Sequence, residues 1–148
     1  MPSVAFSDVS YSTFERVASE SSDVLGIDAE LRKDGKLWDQ LDFALPRKQF
    51  VSRLREILPR TTLERVAATG GYTHIDVMVD VPGAANPVKA EVGGGQQAVT
   101  VQGLLEGLHM VLEKQKVLVG KRAMFECFSI EDRMRPHEWK AKIYCTRA

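Results

Sequence analysis

The sequence predicts an α+β fold: a mostly antiparallel sheet with two long helices packed on one face, plus an N-terminal helix and a C-terminal β-hairpin. Three observations carry that expectation. Apolar residues recur at helical spacing after Pro46 and again after Val101. Between and beyond those stretches they alternate with period two, the mark of half-buried strands. Glycine and proline fall mostly between the periodic stretches, where turns are needed.

The elements follow in order. Ser12, Thr13, Phe14 and Glu15 have capping-box spacing with Phe14, Val17 and Ala18 behind, which predicts a short helix near 12–20. Residues 21–45 match neither period. Pro46 suits a first helical position, and Phe50, Val51, Leu54, Ile57 and Leu58 make one apolar stripe before Pro59, so 46–58 is a helix. Residues 62–68 read as a strand. Gly70-Gly71 would turn it into Ile75, Val77, Val79 and Val81, setting Arg65 opposite Asp76. Thr61 and Glu64 also have capping-box spacing, so a short helix competes with that strand.

Val88, Ala90 and Val92 predict a third strand. Gly93-Gly94-Gly95 then leads into a helix of about five turns striped by Val101, Leu104, Leu105, Leu108 and Leu112. Gly103 and Gly107 lie one turn apart there, which suggests another backbone close by. The segments AMFECFSIE and HEWKAKIYC predict a final antiparallel pair, with Trp139, Ala141, Ile143 and Cys145 on one face of the second. A chain of 148 residues fits one domain, read as an extension at 1–45, a core at 46–115 and a hairpin at 116–148.

Charge narrows the function. Twenty basic and twenty acidic residues balance, which argues against a strongly basic nucleic-acid binder. Cys127 and Cys145 lack the spacing of a metal knuckle and read as reduced core thiols. With no signal peptide and no long apolar run, a soluble cytoplasmic protein with no membrane role is expected.

The triple glycine lacks the lysine and hydroxyl that complete a P-loop, so it reads as a flexible joint rather than a nucleotide cradle. His74, Asp76 and Asp80 share the wet face of one predicted strand. Same-face neighbours stand nearly 7 Å apart, so a ligand cluster would need a residue from another element. His137 beside Glu138 has no candidate nucleophile with it. No metal site, catalytic residue or cofactor is expected, and the reading is of a non-enzyme.

From Pro46 to Lys114 the predicted order is helix, three strands, helix, and this resembles the double-stranded-RNA-binding domain. LPRKQFVSRLREIL is similar to that family's first helix, and GYTH occupies the place of its Gly-Pro-x-His turn. VGGGQQAV stands where the family carries a glycine-rich approach to its last helix and a Lys-Lys-x-Ala-Lys run, with Gln96 and Gln97 replacing the lysine pair. The small paired subunits of the signal-recognition particle have the same element order.

The resemblance implies contact with structured RNA by shape, through the first helix, the strand turn and the start of the last helix. Candidate RNA- or partner-binding residues are Arg47, Lys48 and Arg55 on the helix, His74 at the turn, and Gln96 and Gln97 at the glycines. Arg135, His137, Lys140 and Lys142 form a second basic group near the C-terminus. Degenerate copies of the domain commonly serve in protein–protein contact. The alternative partner is therefore a protein, including another copy in a homo-oligomer, as in an adaptor, structural or virion-type component.

Overall fold

A computed structural model describes residues 26–33, 35–129, 135 and 137–147. The helix expected near 12–20 lies outside the described residues. Helix α1 spans Arg47–Ile57, α2 spans Arg60–Leu63, and α3 spans Val101–Gln115. Strands β1 (His74–Val79), β2 (Val88–Gly93), β3 (Lys121–Ser129) and β4 (Glu138–Arg147) form one sheet in the order β2-β1-β4-β3. Two pairs are antiparallel and the central β1–β4 pair is parallel. The chain is thus α+β with a mostly antiparallel sheet.

Each helix starts and ends for a local reason. Pro46 stands just before the first residue of α1, one place earlier than expected and without a side-chain capping bond, and Leu58 leaves the helix in extended conformation just before Pro59. Thr100 caps α3 by accepting a hydrogen bond from the Gly103 amide, and Lys116 closes it in the left-handed conformation. The buried stripe of α3 is Val101, Leu104, Leu105, Leu108 and Leu112, with His109 among them. At fifteen residues it makes about four turns, one fewer than expected.

The stretch after α1 departs from the sequence reading. Residues 60–63 are helical, and 64–68 contribute only single bridges, Val66 to Thr100 and Ala68 to Ile27. The hairpin about Gly70-Gly71 does not form, and Arg65 does not face Asp76. Its guanidinium instead grips Asp28 through two bonds of 2.9 and 3.0 Å. Neither the strand nor the helix expected over 62–68 forms: the helix lies earlier, opened after Pro59 and closed by the Glu64 amide onto the Arg60 and Thr62 carbonyls, with Glu64 at its end rather than in its first turn. Its outgoing backbone then pairs with two distant segments, through Asp28 N–H to Ala67 O and Ala67 N–H to Val99 O. Two strands rather than three therefore lie between α1 and α3.

Residues 27–43 are part of the core. Ile27, Leu31, Leu37, Leu41 and Phe43 are buried. The 39–43 segment also lines the outer edge of β3, through Asp39 N–H to Phe125 O, Phe125 N–H to Leu41 O and Phe43 N–H to Ala123 O. Phe43 packs on both Phe50 and Phe125, which ties that segment to α1 and the sheet.

Two glycines are required where they stand. A Cβ at Gly93 would lie 2.3 Å from the Thr73 carbonyl, and its φ is +94°. A Cβ at Gly107 would crowd Val92 at 3.0 Å, so this glycine lets α3 approach β2 closely. The sequence expectation was of another backbone close to Gly103 and Gly107; Gly107 instead meets the Val92 side chain, and Gly103 only the Thr100 hydroxyl that caps its own helix.

Trp139 is fully buried at the centre of the sheet, edge-on to Phe128. Trp139→Ala should cost about 3–5 kcal/mol, comparable to the whole stability of a small domain. Urea denaturation followed by far-ultraviolet circular dichroism would measure the loss; a change under about 1 kcal/mol would contradict the packing.

Candidate functional site on the open sheet face

The sheet has two unlike faces. Ile75, Val77, Val79, Val88, Ala90, Val92, Trp139, Ala141 and Ala123 are buried toward the helices. On the other face β1 presents His74, Asp76 and Met78, β2 presents Lys89 and Glu91, and β4 presents Glu138, Lys140, Lys142 and Tyr144. Alternation puts these residues there once the partner face is buried.

At the start of the central strands several polar groups converge. Asp76 is the register partner of Glu138, and its amide donates to the His137 carbonyl at 2.8 Å. The Arg135–Glu138 turn is closed by Glu138 N–H to Arg135 O at 2.8 Å and by Arg135 N–H to Glu138 Oε1 at 3.0 Å. His74 Nε2 stands 2.6 Å from Asp76 Oδ1, and His137 Nε2 stands 3.9 Å from Asp76 Oδ2. Donor atoms of Asp76, His137 and Glu138 all lie within 4.8 Å of one another, and this trio could hold a metal ion. Oδ1 of Asp76 is cut off from solvent and accepts no hydrogen bond among the described residues. His74 Nε2 stands close to this oxygen without hydrogen-bond geometry to it.

The residues singled out from sequence fall into three places. His74, Arg135, His137, Lys140 and Lys142 belong to the open sheet side or its adjoining turn. Gln96 and Gln97 are exposed in the joint between β2 and α3. That joint lies against the turn before β1, with Gly94 N–H bonded to Thr73 O and Val99 N–H to Tyr72 O. Arg47, Lys48 and Arg55 are exposed on α1, in the layer on the opposite side of the core. No single surface joins all ten.

Several cations have acidic partners. Arg47 pairs with Glu106, Arg53 with Glu56, Arg60 with Glu64, and Lys140 with Asp80. Asp80, considered beside His74 from sequence, is thereby turned to Lys140 at 3.4 Å and away from the cluster. Glu138 was missed as a site residue because only the parallel β1–β4 pairing sets it against Asp76. A wet-face carboxylate directly after His137 was its sole local signal.

The third histidine is structural. His109 is buried, stacks on Phe50 at a centroid distance of 4.2 Å and holds the Leu45 carbonyl at 2.7 Å through Nε2. Clefts of about 450 and 570 Å³ border α1, lined respectively by residues such as Lys48 and Arg53 and by Arg55, Arg60 and Gln102. Neither includes a histidine.

No family model matches this sequence, and no match to it is found among curated proteins or solved structures.

Cys127 and Cys145 are unpaired thiols, and burial raises the pKa of each above the ordinary 9.0. A thiol that resists ionising is a poor nucleophile. Both should react with a disulfide reagent at pH 8 more slowly than in the unfolded chain. The same burial makes stability fall as pH rises through 9.0, since only the unfolded thiols ionise readily there. Equal labelling rates for folded and unfolded protein would contradict this.

Proposed function

We propose that the protein is a non-catalytic binding module that associates with itself by extending its sheet at β2. The observation that carries this is the unequal treatment of the two sheet edges. Residues 39–43 cover β3, whereas among the described residues no backbone bond reaches the outer side of β2. An uncovered edge is a template for strand addition.

The register of that addition follows from the ladder. Asp76 turns its backbone toward β4, so Ile75, Val77 and Val79 bond to β2 through Val92, Ala90 and Val88. The N–H and C=O groups of Lys89 and Glu91 then point outward. Two β2 strands pairing antiparallel about Ala90 set Lys89 of each copy opposite Glu91 of the other, in the hydrogen-bonded positions. Val88, Ala90 and Val92 of both copies share the buried face, so the core continues across the junction. Charge at the edge thus discourages indiscriminate pairing while matching a second copy.

Glu91→Lys should weaken the dimer about tenfold or more, because two opposite-charge pairs become like-charge pairs. The swap Lys89→Glu with Glu91→Lys should restore it. Light scattering or sedimentation over a concentration series reads both. A strict monomer at every concentration, or indifference of the dimer to Glu91→Lys, removes this reading.

A second reading, contact with structured RNA, draws support from α1 and its flank. Residues 47–60 contain five cations and one acid, and among the described residues Lys48 and Arg55 make no ion pair. Binding to an RNA duplex should then be detectable at low salt and fall steeply as salt rises. Gln97→Lys should strengthen it by adding a phosphate contact and steepen the salt slope by about one. No binding at low salt ends this reading and leaves the first untouched.

A further inference from the structure

We infer that Asp76, His137 and Glu138 form a binding site for a divalent transition metal of the zinc type, with His74 at its margin. The three donors come from β1, β4 and the turn before β4, which meet through the parallel β1–β4 pairing, and their ligand atoms lie within 4.8 Å of one another. Ligands bound to one such ion at about 2.0–2.2 Å sit roughly 3–3.5 Å apart, so small side-chain rotations close the site.

A second observation points the same way. The Oδ1 atom of Asp76 has no solvent contact and no hydrogen bond among the described residues. Buried carboxylate oxygens are almost always satisfied, and leaving one bare is costly. A cation held by this carboxylate, whose other oxygen is the one paired with His137, offsets that cost. Backbone bonds already fix the ligands: the Asp76 amide holds the His137 carbonyl, and the Arg135 amide holds Glu138 Oε1, leaving the second Glu138 oxygen for the ion. His74, with Nε2 2.6 Å from Asp76 Oδ1, flanks the carboxylate.

The donor set selects the ion. Imidazole with carboxylates suits zinc, cobalt or nickel; magnesium and calcium favour oxygen alone, and soft ions favour thiolates. Neither cysteine is near, since Cys127 pairs with Lys142 and Cys145 with Ala123, farther along β4. Three protein ligands leave at least one position for water or another donor. The site is on the sheet face and at the start of β1, so it stands independently of pairing at β2.

Chelator-treated protein titrated with zinc in a calorimeter should bind one ion per chain. Cobalt should give visible d–d absorption that zinc abolishes. His137→Ala and Glu138→Gln, on partly exposed side chains, should each reduce affinity at least tenfold while keeping the wild-type circular dichroism spectrum. Zinc should raise the melting temperature of the wild type and leave that of His137→Ala nearly unchanged. The site is refuted if the wild type takes up no metal at micromolar concentrations, or if both folded variants bind as tightly as it does.

Discussion

The rest of the structure depends on β4 lying between β1 and β3, parallel to β1. Parallel neighbours cannot be joined by a tight turn. The chain therefore leaves β1 through β2, crosses by α3 to the far edge as β3, and returns along the middle as β4. This path buries Trp139 at the sheet's centre. It brings the turn before β4 against the first residues of β1, where Asp76 meets His137 and Glu138. It also leaves β2 and β3 as edges, of which only β3 is covered by residues 39–43.

Local order in this chain was legible because it is written in local periodicity. The α1 stripe beginning at Phe50 and the α3 stripe beginning at Val101 repeat at helical spacing, and the strands alternate cleanly around Val77, Ala90 and Trp139. The stretch 60–68 was misread because two glycines resembled a hairpin turn while Thr61 and Glu64 signalled a helix. What separates those options is remote: the Asp28 carboxylate on Arg65 and the Val99 carbonyl on the Ala67 amide. Residues 39–43 carry no period because they attach to β3 irregularly, yet Leu41 and Phe43 are buried.

The candidate site was legible in its parts and not in its assembly. His74 and Asp76 read as wet-face residues of one strand and His137 as the neighbour of Glu138, and the requirement for a ligand from another element was apparent from strand geometry. That the second element would be the strand carrying Glu138 depends on which strands are neighbours, and no local pattern encodes this. Arg47, Lys48 and Arg55 joined the candidates through their basic charge and the resemblance of their helix to an RNA-contacting one, but they face solvent from the helical layer, across the core. The glycine run belongs to the same lesson. Gly93 is needed for its positive φ and its close approach to Thr73, while Gly94 and Gly95 have no neighbour within 4 Å of an added Cβ.

Strand order is therefore the claim on which the rest turns, and backbone nuclear Overhauser contacts test it most directly. The account predicts contacts between β1 and β4 that ascend together, from Asp76 with Glu138 to Val79 with Ala141. Contacts that run in opposite order, or that join β1 to β3 instead, would contradict it and separate the three proposed metal ligands.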